Sequence, residues 1–342
     1  MNPVSIIGGG LSGLTLGILL REQDVPVTIK EAGNYPRYRV CGEFISGRGL
    51  KVLAGLGVSD SWEAGERMMA QNTVFFLEGV PSPVVSLPEP AWCLSRWALD
   101  QALAVRFREL GGILVERCRG NIERGQPGLV EASGRRRVHG RSDWVGISFH
   151  LKELSLRGDL EMHFQEGAYV GLCEVEGGLF NVCGLIPRSR LPDRLSTDPH
   201  VALETVFSKS LNGRLGSGRL VVNSLTTVAS LDYSAASVRD DGVLRIGDSR
   251  GLIPPVTGNG MSLAFEAAEL ASGPLVMWAK GHCSWAHALD EVRLRQTKRF
   301  GQRLFWARQL QRAMLHPFLA NRPSWAMKNL PTLLPLGFRL TR

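Results

Sequence analysis

A glycine turn near the start of the chain limits the fold more than any later stretch. Val4-Ser5-Ile6-Ile7 reads as a buried parallel strand, Gly8-Gly9-Gly10-Leu11-Ser12-Gly13 follows it as G-x-G-x-x-G, and Leu14 to Leu20 reads as an apolar helix. A second strand, Val25 to Lys30, ends at Glu31. Each residue has a physical task in this arrangement. Gly8 makes the tight turn, Gly10 lets a pyrophosphate come close to the backbone, and Gly13 lets helix and strand pack together, while Glu31 accepts hydrogen bonds from a ribose. The pattern predicts a dinucleotide site and leaves NAD and FAD both open.

A matching stretch lies more than two hundred residues later. The apolar run Val243 to Ile246 ends in Gly247-Asp248, Pro254-Pro255 stiffens the backbone, and Gly258-Asn259-Gly260 opens a long helix from Met261. Glycines at a helix start expose unpaired N–H groups, and the helix dipole adds positive potential there. Such a site favours an anionic or electron-rich ligand, with Asp248 ready to accept from a ribityl or ribose hydroxyl.

With 342 residues, 44% of them hydrophobic and 21% charged, the chain has the material for about two globular domains. Its six cysteines are scattered, with no C-x-x-C and no His/Cys spacing of a zinc site, so the expectation is reduced thiols, a cytoplasmic setting and no metal. No basic leader precedes the first strand, and no apolar run reaches the ~18 residues of a membrane span. The net charge of +8 is concentrated at the end: residues 292–342 carry eleven Lys and Arg and no Asp or Glu. Phe300, Phe305, Trp306, Phe318 and Trp325 interleave with them. A terminal helix packed on the body, or peripheral contact with a membrane or lipidic carrier, fits this mixture better than nucleic acid does.

The stretch Tyr35-Pro36-Arg37-Tyr38-Arg39-Val40-Cys41-Gly42 resembles the P-R-x-K-x-C-G segment of geranylgeranyl reductase-like flavoproteins, with Arg39 where Lys is usual. Gly247-Asp248, Pro254-Pro255 and Thr257-Gly258-Asn259-Gly260-Met261 resemble the same group's second FAD motif. That group is similar in turn to the p-hydroxybenzoate hydroxylases and the flavin halogenases. The resemblance implies FAD, held by Gly8, Gly10, Gly13, Glu31, Arg39, Cys41, Arg96, Asp248, Pro255, Gly258, Asn259, Gly260 and Met261. It also implies that Cys41 lines the flavin pocket and makes it the catalytic candidate; read alone, Cys41 is equally a small core residue. Arg37 and Arg39 face FAD phosphates or an anionic substrate group, or are plain solvated arginines. In Arg96-Trp97-Ala98-Leu99-Asp100 the R-x-x-L-D pattern resembles a FAD-contacting segment, and the same spacing equally makes an Arg96–Asp100 pair on a helix.

Two features depart from the related groups. The aromatic hydroxylases carry Asp-Gly where this chain has Ser133-Gly134, and a hydroxyl does not replace a carboxylate's pull on donors. The Trp-x-Trp-x-Ile-Pro segment of the flavin halogenases was not found. A mostly antiparallel sheet is predicted for residues 144–185, with a turn at Glu176-Gly177-Gly178 and with His150, His163 and Tyr169 inside it.

The expected fold is α/β, a Rossmann-like FAD-binding domain with an inserted mostly antiparallel sheet domain and a helical C-terminus. The FAD domain is assigned to residues 1–75, 92–140 and 237–280, the substrate-binding sheet to 76–91 and 141–236, and a basic helical region to 281–342. The expected function is an FAD-dependent oxidoreductase acting on a hydrophobic small molecule of isoprenoid, acyl or polyketide type, by C=C reduction or dehydrogenation. A flavin-dependent monooxygenase using NAD(P)H and O2 is the alternative, and a non-catalytic FAD-binding accessory protein a third reading. No second dinucleotide fingerprint is visible, which leaves NAD(P)H as a transiently bound donor.

Overall fold

The computed structural model describes residues 1–58, 62, 68–135, 144–165, 167–191, 199–229, 241–251, 258–314 and 340. The chain opens with β1 (Val4–Ile7), α1 (Leu11–Arg21) and β2 (Val27–Lys30). It continues through β3 (Phe44–Ser46), α2 (Arg48–Gly55), β4 (Met68–Leu77), β5 (Val80–Pro81) and β6 (Val85–Cys93). Helix α3 (Arg96–Glu109) leads to β7 (Ile113–Val115) and β8 (Leu129–Glu131). Four long strands follow: β9 (Trp144–Lys152), β10 (Leu160–Gln165), β11 (Ala168–Val175) and β12 (Leu179–Pro187). Then come α4 (Pro199–Glu204), α5 (Lys209–Ser217), β13 (Arg219–Leu220), β14 (Thr226–Val228), β15 (Leu244–Arg245), α6 (Gly260–Ala279) and α7 (Trp285–Met314).

The first sheet has the order β15-β8-β1-β2-β7 and is parallel throughout. Its short strands are apolar because helices cover the sheet. Helix α1 is apolar on every side, with Leu14, Leu16, Ile18 and Leu20 fully buried, since it packs against α3 and α6 as well as the sheet. This is the predicted Rossmann-like unit.

The second sheet has the order β13-β9-β12-β11-β10-β4-β6-β3, with β14 also on β9 and β5 on β4. It is antiparallel except where β10 meets β4. Side chains alternate across it with the period of two that a strand imposes. Ile147, Phe149, Leu151, Val170, Leu172 and Val182 form one apolar face, closed by Leu203, Phe207, Leu211 and Leu215 from the α4–α5 region. The register pairs His150 with Asn181 and Asn181 with Cys173, and Ser148 with Cys183, so the other face carries hydroxyl, amide, imidazole and thiol groups.

The chain enters this sheet earlier than the predicted residue 76. β4 begins at Met68, and even β3 belongs to the sheet through its pairing with Ala91–Cys93. The polar Gln71-Asn72 step hides β4 in the sequence. It is accommodated at a bulge where the Asp159 carboxylate accepts from Gln71 N at 2.7 Å, Asn72 N at 3.1 Å and Asn72 Nδ2 at 2.9 Å. β6 holds Pro88 and Pro90 although it lies between two strands. The prolines fall where the β4 register jumps from Ala91 to Ser86 and beyond the reach of β3, so no ladder donor is lost there.

The described part of the basic C-terminal region is α7, a thirty-residue helix laid against α6. Glu266 of α6, 1% exposed, accepts from Arg299 Nε at 2.8 Å and from Arg303 Nη1 at 2.8 Å. Phe305 and Trp306 are exposed, and no described helix is long and apolar enough to cross a membrane.

Candidate functional site

The three glycines of the opening motif carry the tasks their spacing predicts. Gly8 has φ +108°, and a β-carbon there would lie 2.4 Å from the Ala132 carbonyl oxygen. At Gly13 it would lie 2.0 Å from the Gly8 carbonyl oxygen, so helix and strand meet only because both positions lack side chains. Gly10 is the opposite case. It is extended, stands at the N-cap of α1, and a β-carbon there would meet nothing within 4 Å among the described residues. The helix N-terminus therefore opens onto clear space, which suits a phosphate.

Glu31 lies beside this opening. Its Oε2 accepts from Gly9 N at 2.7 Å; its Oε1 accepts from Gly33 N at 2.8 Å and pairs with Arg37. Burial disfavours its charge, yet Arg37 and the two backbone donors outweigh that and hold the carboxyl at a pKa of about 2. Oε1 is saturated and Oε2 keeps one lone-pair direction, which fits a single ribose hydroxyl. Arg39, half exposed, approaches Glu31 only to 3.9 Å and leaves its guanidinium available to a ligand.

The second motif reaches the same region from β15 and α6. Asp248 is partly enclosed, and its pKa is pushed up to about 6 by burial, against the pull of Arg135 and Arg96. Asn259 is buried at the N-cap of α6, and its side chain does not cap the helix, so the first N–H groups of α6, at Gly260 and Met261, receive no bond from it. Gly258 has φ +60° and sits on the ring of Phe44. Pro255 lies outside the described residues.

Phe44 ends the segment that joins the two sheets. Within it, the Cys41 carbonyl accepts from Asn181 Nδ2 at 2.9 Å and the Gly42 carbonyl from the Cys173 thiol at 3.4 Å. Glu43, fully buried with φ +56°, accepts from Arg96 N at 2.9 Å and lies 2.7 Å from His150 Nε2. Burial pushes the Cys41 thiol up, with Arg96 pulling partly back. The polar sheet face thus meets the start of α6 across residues 41–44.

Arg96 forms the helix pair with Asp100 that its spacing allows. Its Nε and Nη2 bind the fully buried Asp100 at 2.7 and 2.8 Å, and the guanidinium also reaches the Cys41 thiol. His163 is structural: it stacks on Phe76 at 4.1 Å and pairs at 2.8 Å with Glu161, which Arg214 clamps. Near Ser133, the missing Asp-Gly acid has a neighbour two residues away. Glu131 accepts from the Ser133 hydroxyl at 3.2 Å and from Arg245 at 2.8 Å.

Sequence reasoning missed Ser148 and Asn181; it read Glu43 as a polar pocket residue or a helix-start carboxylate and gave it no catalytic role. The alternation of β9, with His150 and Ser148 opposite Phe149 and Leu151, was the available signal; the partner 107 residues away was not.

The two sheets, the glycine cradle and the joining segment define the fold of the flavin-dependent halogenases and monooxygenases. The flavin-dependent brominase Bmp2 superposes with a TM-score of 0.77 at 18% identity, over 99% of this chain and 92% of that one. The myxobacterial chondrochloren halogenase CndH gives 0.73 at 17% identity, over 99% and 91%. PqsL of P. aeruginosa in complex with 2-aminobenzoylacetate gives 0.68 at 15% identity, over 92% and 96%. In sequence, 81 residues are 37% identical to 3-amino-4-hydroxybenzoate 2-monooxygenase of Streptomyces cremeus, a match spanning 23% of this chain and 20% of that protein. No family model matches the chain. The expected likeness to geranylgeranyl reductases finds no support in these relatives.

Proposed function

We propose that the chain binds FAD and acts as a flavin-dependent monooxygenase on a small aromatic substrate, with NAD(P)H as a transiently bound donor. One observation carries this reading: an open dinucleotide cradle at Gly10 and Glu31 and the start of α6 at Asn259–Met261 converge on residues 41–44, under a sheet face made of polar side chains. Bound there, FAD would supply the two-electron and oxygen chemistry. The protein's share is positional. Gly10 and the α1 N-terminus receive the pyrophosphate, Glu31 a ribose hydroxyl, and Asp248 a ribityl hydroxyl. The Gly260 and Met261 N–H groups stabilise negative charge on the reduced ring.

The fold of the halogenases and monooxygenases, and the short match to an aminohydroxybenzoate monooxygenase, favour oxygenation over the C=C reduction expected first. The polar face at Ser148, His150 and Asn181 supports a substrate with hydrogen-bonding groups rather than a bare isoprenoid chain.

The purified protein should show a flavin spectrum, directly or after reconstitution. NAD(P)H oxidation should then be coupled to O2 uptake and stimulated by aminobenzoate or hydroxybenzoate substrates. Failure to take up FAD overturns the reading. Product formed equally well without oxygen returns the chain to the reductases, and a flavin that no donor reduces makes it an accessory protein.

A further inference from the structure

We infer that His150 takes a proton from the bound substrate, with Glu43 holding the imidazole in its accepting form, so that the ligand must carry an O–H or N–H group. The imidazole is 1% exposed on β9, and Nε2 lies 2.7 Å from Glu43 Oε2. Nδ1 is fully enclosed and meets no hydrogen-bond partner among the described residues. An unpaired nitrogen at that depth forfeits its hydration, which a donor from a ligand restores.

The carboxylate is fixed from both sides. Its other oxygen accepts the Arg96 N–H, the Glu43 carbonyl accepts the Leu94 N–H at 2.9 Å, and the backbone is held at positive φ. With Nε2–H donated to Glu43, Nδ1 presents a lone pair. The neighbouring groups on this face are already committed. The Ser148 hydroxyl donates to Asn181 Oδ1 at 3.0 Å, and the Asn181 amide donates to the Cys41 carbonyl. The Tyr38 ring lies 5.2 Å from the imidazole and 4.6 Å from Trp97, which is exposed, so aromatic rings run from the surface to His150.

One proton moves in the step. The substrate O–H or N–H bond breaks, its electron pair stays on the oxygen or nitrogen, and Nδ1 gains the hydrogen. The resulting imidazolium keeps its Nε2–H on the Glu43 carboxylate, an acid–base pair of the kind that orients and stabilises a catalytic histidine. The retained electron pair enriches the aromatic ring for attack; this last consequence rests on the monooxygenase reading, whereas the hydrogen bond does not. The titratable groups around the pair are Tyr38, Cys41, Arg96, Glu176, Cys173 and Cys183, and Arg96 is the cation among them.

The test uses the full chain labelled with 15N-histidine, the His150 signal being assigned by its loss in His150→Gln and again in His150→Asn. Multiple-bond proton–nitrogen correlation then reads the tautomer. The expected tautomer carries its proton on Nε2. Adding phenol should move the Nδ1 resonance toward the protonated position, and anisole, the same ring without a donor, should leave it in place. His150→Gln should weaken phenol binding by about tenfold or more. A proton already on Nδ1 in the free protein, a phenol that leaves Nδ1 unmoved, or equal responses to phenol and anisole would overturn the inference. The flavin absorbance of the same sample reports separately on the FAD reading, so the two fail independently.

Discussion

Gly258 packs so closely on Phe44 that a β-carbon at position 258 would lie 2.0 Å from the ring's Cζ. The contact fastens the start of α6 to the segment that bridges the two sheets. Both the positive φ and the ring demand glycine there, and Gly258→Ala should destabilise the protein by about 2 kcal/mol or more. Thermal unfolding checks this. Adding Phe44→Ala should relieve the collision and leave the backbone strain, so the double variant should recover only part of the loss measured for Gly258→Ala beside Phe44→Ala alone. An unchanged Tm in Gly258→Ala would contradict the packing.

Gly10→Ala should separate folding from binding. Among the described residues the added methyl meets no atom within 4 Å, so apo stability should move by no more than about 0.5 kcal/mol. The same methyl enters the space left for a pyrophosphate and should weaken FAD by at least about tenfold in a fluorescence-quenching titration. Loss of stability and of affinity together would mean that the opening is filled by protein.

Glu161 makes the sheet domain sensitive to acid. Burial raises its carboxyl, but His163, Arg214 and the Arg157 N–H pull harder and hold it at a pKa of about 2, below the ordinary 4.5. A depressed folded-state value stabilises above the unfolded pKa and is lost as pH falls from about 4.5 toward 2. The contribution at neutral pH is on the order of 3 kcal/mol. Glu161→Gln should lower stability at pH 7 and flatten the fall in urea midpoint across that acid window; parallel pH curves for the two proteins would refute the assignment.

Glu266 should govern the docking of α7. Its removal leaves Arg303, only 10% exposed at its side chain, without its carboxylate, and breaking such a pair costs about 3 to 5 kcal/mol. Glu266→Ala should therefore release α7 to trypsin at its many arginines well before the rest of the chain is cut. Equal cleavage rates in wild type and variant would show that the helix is held by other contacts.

Local chemistry was legible in the sequence where one segment suffices. Gly8, Gly10, Gly13 and Glu31 act within a single βαβ unit, so their spacing specifies their geometry. Gly258–Met261 could likewise be placed at a helix start. What depends on distant pairing was not legible. Nothing around Glu43 announces His150, and only the third dimension shows that the Arg96–Asp100 spacing makes a pair. β4 escaped in part because Asp159, 87 residues away, satisfies its polar step. Pro88 and Pro90 argue against an internal strand when read alone, and the register jump that spares the hydrogen bonds proline would break belongs to the fold.

The parallel sheet takes its strands from residues 4–7, 27–30, 113–115, 129–131 and 244–245, and α6, which packs on α1, follows only after that. A ribosome delivers these pieces in order, so α1 emerges early, meets α3 within about a hundred residues and waits more than two hundred for its α6 cover. In that interval its apolar surface is open to other nascent chains. Strands β9 to β12 of the second sheet, close together in the chain over residues 144–187 and covered by α4 and α5, gather their hydrophobic cluster sooner. Synthesis should thus pass through a state with those strands paired and the dinucleotide unit still loose until residues near 280 have left the exit tunnel.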